Sequence, residues 1–148
     1  KLRTEIFINL KPKKGLLMSH FEKIKNHLTD LDLEFKVINL EEQVLTVNDS
    51  TRGFQNLVVD CEDSVLILEQ FICVLDKPQD STHLKTLLQL NRQLVHGAFV
   101  LDDSGDRVLF RDTLQLANLD RNELDASVTA LSLGLAEHAD KLIDMAKK

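Results

Sequence analysis

A run of apolar residues at positions 65–75 constrains the fold more than any other feature of this chain. Its two faces would be Val65, Ile67, Phe71, Cys73 and Leu75 on one side and Leu66, Leu68, Ile72 and Val74 on the other. Only Glu69 and Gln70 interrupt it. An antiparallel strand with one face in water alternates apolar and polar side chains, whereas this run is apolar on both faces. We therefore expect the strand to be covered on both sides or to offer one side to a partner.

Short runs of valine, isoleucine and leucine, separated by turn-forming residues, predict the other strands. All the predicted strands lie at 34–40, 43–48, 54–60, 64–75, 98–101 and 107–116. Gly105 lies in the loop of the last hairpin, where a residue with positive φ is needed. The sequence therefore predicts a predominantly antiparallel sheet of five or six strands.

Apolar residues at helical spacing predict three helices. The first spans 19–31 and begins at Ser19, which opens a capping box. The second begins near Ser81, and Gly97 is expected to end it as a left-handed C-cap. The third begins after Asp120, its predicted N-cap. The chain is therefore expected to be an α+β protein with the element order α-β-β-β-β-α-β-β-α.

The chain length of 148 residues suits one domain. Residues 1–17 carry five basic residues and one acidic residue, whereas the rest of the chain is acidic. Met18 directly precedes the capping box. We expect residues 1–17 to be an N-terminal extension, either native or added, and residues 18–148 to form the domain. The alternative is a native strand at 5–10.

Charge and composition exclude several classes of function. The net charge is −6 and the chain has no Trp or Tyr, so neither phosphate neutralisation nor base stacking favours a nucleic-acid partner. The apolar run is shorter than the ~20 residues that cross a bilayer, so no membrane partner is expected. Two cysteines without a secretory leader favour a reducing, cytoplasmic location, and no disulfide is expected between Cys61 and Cys73.

No catalytic or metal-binding motif is present. The glycines are isolated, which excludes the dinucleotide, phosphate-loop and nucleophile-elbow motifs, and the 102–106 loop lacks EF-hand spacing. His138 lies in the apolar seam of the third helix, either as a hydrogen-bonded core residue or as a ligand. We expect no enzyme, no cofactor and no metal. The alternatives are a small-molecule sensor or enzyme that uses His138 or His96, and a structural subunit of a larger assembly.

Asn91 lies in the middle of the apolar stripe of the second helix. Such a buried amide needs hydrogen-bond partners. It could pair with its own copy across a twofold axis and fix the register of a dimer, or it could bond to a nearby strand backbone within the subunit.

One segment resembles a known family. The residues concerned are Leu87-Leu88-Gln89-Leu90-Asn91-Arg92, His96-Gly97-Ala98-Phe99-Val100-Leu101-Asp102, Gly105 to Arg111 and Leu114-Gln115-Leu116. They are similar to the type III secretion chaperone-like superfamily, in its YbjN and Tir-chaperone branch. The resemblance implies a small bacterial α+β domain with a secretion-chaperone-like fold, commonly a homodimer. In the secretion chaperones, exposed apolar patches hold a partner's segment extended along the surface.

We therefore expect a non-enzymatic protein-binding module, chaperone-like or regulatory, that acts as a homodimer and shelters an apolar segment of a partner protein. The predicted dimer interface lies on the second helix and the strand after it, at Leu87, Asn91, Leu94 and Phe99. The predicted partner-binding residues lie on the first helix and the middle strands, at Phe21, Ile24, Leu57, Val59, Leu68 and Ile72.

Overall fold

A computed structural model of the protein describes the backbone of residues 14–148 and the side chains from residue 20 onward. The predicted alternative strand at 5–10 lies outside these residues. The described elements follow the predicted order, which is confirmed. They are α1 (Lys14–Asp30), β1 (Glu34–Asn39), β2 (Val44–Asp49), β3 (Phe54–Glu62), β4 (Val65–Val74), α2 (Ser81–Asn91), β5 (Ala98–Leu101), β6 (Arg107–Gln115) and α3 (Arg121–Met145).

The six strands form one antiparallel sheet in the order β1-β2-β3-β4-β6-β5. The first four strands are consecutive hairpins. The chain then leaves through α2, enters the sheet again at its far edge as β5, and returns between β5 and β4 as β6. The apolar strand β4 is therefore a central strand with a neighbour on each side. Its register shifts between Phe71 and Cys73.

Two predicted helix ends are wrong. Helix α1 begins at Lys14, so Ser19 lies inside the helix and is not its N-cap. Leucine and methionine, which occupy 16–18, are strong helix formers and extend the helix towards the N-terminus. Helix α2 ends at Asn91, where tight-turn bonds from Gln93 to the Leu90 carbonyl and from Leu94 to the Asn91 carbonyl take over.

The predicted positive φ at Gly97 is confirmed, but this glycine does not cap α2. Gly97 has a φ of +69° and lies directly before β5. Its missing Cβ makes room for the ring of Phe110 on the neighbouring strand β6. Glycine is thus required at this position because a side chain would clash with the Phe110 ring where the chain enters β5.

The predicted start of α3 is confirmed. The Asp120 side chain accepts a hydrogen bond from the Glu123 amide at 2.9 Å, and the Glu123 carboxylate accepts one from the Asp120 amide at 3.0 Å. This reciprocal capping box satisfies two backbone donors at the helix N-terminus.

The core lies between the three helices and one face of the sheet, which we call the inner face. Residues at every second position of β2, β3 and β4 are buried there against the helices. They are Leu45, Val47, Leu57, Val59, Leu66 and Leu68. Helix α1 packs against α3, β1 and β3, and α3 also packs against β4 and β6.

Cys61 and Cys73 are both free, as expected. Cys61 lies opposite Leu66 in the β3–β4 hairpin and is buried. Burial and the neighbouring Asp60 carboxylate raise the pKa of its thiol to about 12. Such a thiol stays protonated and behaves as a small apolar side chain. Among the helices of residues 14–148, none is both long enough and apolar enough to span a bilayer.

Candidate protein-binding surfaces

The face of the sheet opposite the helices carries apolar side chains that no described helix covers. The strand registers define this outer face. Lys36, Thr46, Val58, Glu69, Arg111 and Ala98 form one row across all six strands, and Val44, Asp60, Ile67 and Thr113 form the next. Val65 and Phe71 continue the same face along β4, and Leu109 and Val100 lie beside Phe71.

Apolar side chains form the middle of the outer face. Val58, Val65 and Ile67 are half-buried by their neighbours, and Phe71 is 50% exposed. Several valine, isoleucine and phenylalanine side chains on one sheet face are unusual for a surface that stays in water. One apolar side of strand β4 thus faces away from the helices. Its sequence allowed either cover on both sides or one side left for a partner, and the structure has the second arrangement.

Charged residues divide this apolar surface. Arg111 of β6 forms an ion pair with Glu69, its direct neighbour on β4. Asp60 lies on β3 beside Ile67. Burial, together with repulsion from Glu62, Glu42 and Glu69, raises the pKa of the Asp60 carboxyl, and Arg111 opposes the shift. The outer face therefore carries apolar side chains on both sides of one ion pair and is acidic towards the β3–β4 hairpin.

The residues predicted to bind a partner lie on the inner face and on α1. Phe21, Ile24, Leu57, Val59 and Leu68 are buried in the core, and Ile72 is half-buried against it. The structure brings these residues together, but in the core between the helices and the sheet, where a partner cannot reach them. A partner in contact with the sheet would instead meet Val58, Ile67 and Phe71, which are not among the predicted residues.

One signal in the sequence distinguishes the two faces of β4. Glu69 shares a face with Ile67 and Phe71, whereas Gln70 shares a face with Leu66 and Leu68. A charged residue is much harder to bury than an amide, so Glu69 marks the outer face. Gln70 is tolerated inside because its side-chain amide donates to the Gln55 carbonyl at 2.9 Å and to the Phe71 carbonyl at 2.9 Å.

The residues predicted for a dimer interface surround the junction of α2 and β5. Leu87 and Phe99 are buried within the subunit and Leu94 is half-buried. The Asn91 side chain bonds to the backbone of Phe99, accepting from its amide at 2.6 Å and donating to its carbonyl at 3.1 Å. Of the two alternatives for Asn91, the bond within the subunit is therefore confirmed.

A second apolar surface lies at the outside of this junction. Leu88 is 72% exposed and Val95 is 85% exposed. Beside them, residues 93–96 and the exposed side of α3 enclose an open groove of about 450 Å³. Leu133 of α3 lines the groove and is also exposed. We call Leu88, Val95 and Leu133 the α2-end patch.

The two histidines considered as ligands lie in different surroundings. His138 is 5% exposed, and the edge of the Phe99 ring lies against it at 6.4 Å between ring centroids. Its Nε2 is buried and has no hydrogen-bond partner in the described part of the chain. His96 is exposed at the groove beside α3. They do not form one site.

A small acidic cavity opens at one end of the sheet. Residues 41–44 and 60–63 enclose a volume of about 330 Å³. Five of these eight residues are aspartate or glutamate. Among residues 20–148, no three His, Cys, Asp or Glu side chains lie close enough together to hold a metal ion.

Solved structures with the same fold are similar to most of this chain. YbjN from E. coli aligns with a TM-score of 0.64 at 15% identity, covering 82% of this chain and 92% of that chain. The HopA1–SchA chaperone–effector complex contains a chain with a TM-score of 0.63 at 12% identity, covering 84% and 97%. The heterodimeric ExoU–SpcU complex from the type III secretion system of Pseudomonas aeruginosa contains a chain with a TM-score of 0.62 at 16% identity, covering 84% and 98%.

The family comparison agrees with the structures. A search of the curated proteins finds no match. The CesT_Tir_1 family model, however, matches residues 17–148, which is most of the chain. The resemblance to the type III secretion chaperone-like superfamily, inferred from the helix, hairpin and final segment around α2, β5 and β6, is confirmed. The chain belongs to the CesT_Tir_1 family.

Proposed function

We propose that this protein is a non-enzymatic, chaperone-like or regulatory module that binds an apolar segment of a partner protein along the outer face of its sheet. The observation that carries the proposal is the apolar side of β4 that faces away from the helices, where Val65 and Ile67 lie on one side of the Glu69–Arg111 ion pair and Phe71 lies on the other. Related folds occur in chaperone–effector complexes, which supports a protein partner.

Energetics favour an extended apolar segment as the occupant. Each fully buried aliphatic or aromatic side chain contributes about 1.5–3 kcal/mol relative to its exposed state. Covering Phe71 and the half-buried side chains around it therefore offers several kcal/mol, against which the partner loses conformational entropy. Rows of side chains two residues apart suit a partner that presents its own side chains with the same spacing.

The protein acts as a homodimer in this proposal, and its two copies meet near the junction of α2 and β5. The predicted residues Leu87, Asn91, Leu94 and Phe99 form the inside of this junction. The contact between copies is made by the α2-end patch outside it. This arrangement leaves both outer faces free, so each copy of the dimer can hold a segment. The free thiols of Cys61 and Cys73 suit a reducing cytoplasm.

A peptide-binding experiment tests the outer face. We expect a displayed library of short random peptides to yield apolar sequences that bind the wild-type chain. The double substitution Ile67→Thr and Phe71→Ser, which removes exposed apolar surface without touching the core, should weaken these peptides about tenfold or more, because about 1.4 kcal/mol of lost burial is a factor of ten.

The matched control removes apolar surface at another place on the protein. Leu88→Ser with Val95→Ser changes the α2-end patch and should leave peptide affinity unchanged. Circular dichroism establishes that both variants are folded. If the library yields no binders, or if both double variants lose them equally, the outer face is not the binding surface.

Light scattering tests the dimer with the same two variants. At micromolar concentration the wild-type chain should have the mass of two copies, and the α2-end variant should have the mass of one. The outer-face variant should keep the mass of the dimer, since its substitutions are remote from α2. A wild-type chain with the mass of one copy would contradict the dimer while leaving the peptide result intact.

A further inference from the structure

Residues 1–13 precede the described part of the chain and combine apolar with basic side chains. Four of them are basic and one is acidic, although the whole chain has a net charge of −6. The apolar ones are Leu2, Ile6, Phe7, Ile8 and Leu10. Such a cluster of apolar side chains gains stability when it packs against an apolar surface. The outer face of the sheet is an apolar surface that the described helices leave uncovered.

The segment enters the domain at the acidic end of the sheet. Helix α1 packs against β1 and β3, and after its last residue the Leu33 amide bonds back to the Leu28 carbonyl at 2.9 Å, so the chain reverses before β1 begins. The 17 residues of α1 span about 25 Å and the six of β1 about 20 Å, so the helix runs back along the whole strand. Its start at Lys14 therefore lies towards the β1–β2 turn. The β3–β4 hairpin is at the same end, since Val44 pairs with Asp60.

The charges of the segment and of this end of the sheet are opposite. The carboxylates of the two turns belong to Glu41, Glu42, Asp60, Glu62 and Asp63, and all except Asp60 are exposed. None of them forms an ion pair with the side chains of residues 20–148, whereas Glu69 pairs with Arg111. Lys11 and Lys13 come directly before α1. Opposite charges therefore direct the segment over this end of the sheet, and the apolar surface lies beyond it.

We infer that residues 1–13 fold over the acidic end of the sheet and cover the outer face of their own chain. In this arrangement the two lysines before α1 lie among the carboxylates of the turns. Ile6 and Phe7 lie on Val65 and Ile67, the first apolar side chains of β4 beyond the hairpin. The inference rests on the proposed function and adds its regulation, because a partner segment must displace the chain's own segment before it can bind.

The segment is long enough for this path. An extended chain spans about 3.3 Å per residue, so residues 1–13 reach about 40 Å from the start of α1. Packed layers of a protein lie about 10 Å apart, so the path from the helix layer around the end of the sheet to the opposite face is roughly 20 Å. Residues 8–13 cover that distance. Residues 1–7, which include Ile6 and Phe7, are left to lie on the outer face.

A segment of the same chain needs only weak contacts to occupy the face. The effective concentration of a segment on a short linker is in the millimolar range, so a contact with a Kd of about 1 mM is formed in about half of the molecules. A second copy at micromolar concentration does not reach this occupancy. The apparent affinity for a partner falls by the fraction of molecules whose face is free.

Nuclear magnetic resonance of the full chain tests the contact without a partner. The ¹⁵N spectrum of the wild-type chain is compared with that of the double variant Ile6→Ser and Phe7→Ser. Amide shifts should differ at residues 41–44, 58–69 and 111–115, which surround the covered surface, and should agree within α2. The differences should persist on dilution, because the contact lies within one chain, and should diminish in high salt, because part of it is ionic.

Peptide affinity measures the regulation. Peptides selected for the outer face should bind the Ile6→Ser and Phe7→Ser chain about fivefold more tightly than the wild-type chain, since the face is then free in every molecule. Lys11→Glu with Lys13→Glu should have the same effect by reversing the charges that direct the segment. The control Lys85→Glu with Lys141→Glu makes the same change of charge at exposed positions of α2 and α3 and should leave affinity unchanged.

The outcomes separate this inference from the proposed function. Identical spectra of the wild-type chain and the Ile6→Ser and Phe7→Ser chain at the outer face would overturn the inference. So would spectral differences that vanish on dilution, which indicate contact between chains, or an equal effect of the two lysine pairs. The proposed function is unaffected by these results, provided that peptides still bind. If the spectra differ as expected but no peptide binds either chain, the segment covers the outer face and only the proposed function is contradicted.

Discussion

The substitution Gly97→Ala is expected to lower the free energy of unfolding by about 3 kcal/mol. A Cβ atom at this position would lie 2.3 Å from Cζ of Phe110, with two further ring atoms at 2.8 and 2.9 Å. The φ of +69° adds a conformational cost that glycine avoids. Phe110 cannot move away easily, because its ring is buried and its edge packs on Phe99 at 6.2 Å between centroids.

Gly105→Ala provides the matched comparison. Gly105 has a similar φ of +77°, but an added Cβ would meet nothing within 4 Å. Only the backbone cost applies, so we expect a loss of about 1 kcal/mol. Urea unfolding followed by circular dichroism measures both variants. Equal losses of free energy in the two variants would contradict this prediction, because they would show that the contact between the added Cβ and Phe110 costs nothing.

Local patterns in the sequence were sufficient to predict the element order. The capping box at Asp120, the turn glycine at Gly105 and the helical spacing of Phe21, Ile24 and Leu28 all act within a few residues, and the structure bears them out. The start of α1 was predicted wrongly because the signal of a single capping residue competed with the helix propensity of the residues before it. Ser19 resembles a cap, but the helix formers before it continue the helix through that position.

The binding surface could be predicted only in part. The pattern of β4 predicted either cover on both sides or one apolar side left for a partner, because the excess of apolar residues is a property of one strand. Which side is free depends on where the helices pack, and this involves contacts between distant parts of the chain. The inner-face residues Leu57 and Leu68 are as apolar as the outer-face residues Val58 and Ile67, so composition alone does not separate them.

The acidic cavity depends on strand register. Residues 41–44 and 60–63 belong to different turns, and each turn is an ordinary acidic loop in the sequence. They enclose one cavity because Val44 lies opposite Asp60. A shift of the register by one residue would move Asp60 to the inner face and separate the carboxylates.

The substitution Asn91→Ala is expected to lower the free energy of unfolding by about 2–3 kcal/mol, because it removes two hydrogen bonds of a half-buried side chain. Asn91 accepts from the Phe99 amide and donates to the Phe99 carbonyl. Strand β5 is an edge strand, and alternate residues of an edge strand direct both backbone groups away from the sheet. The asparagine side chain thus replaces the missing neighbour strand at Phe99 and joins α2 to the sheet.

Hydrogen exchange distinguishes this role from a general loss of packing. In Asn91→Ala the amide of Phe99 should lose protection by a larger factor than the amide of Phe110, which lies on the interior strand β6. Asn91→Asp keeps an acceptor for the Phe99 amide but places a charge beside its carbonyl, so it should protect that amide and still destabilise the protein. The exposed Asn26 of α1 serves as the control, and Asn26→Ala should change stability by less than about 0.5 kcal/mol. Unchanged protection at Phe99 in Asn91→Ala would show that α2 holds the edge strand through its leucines alone.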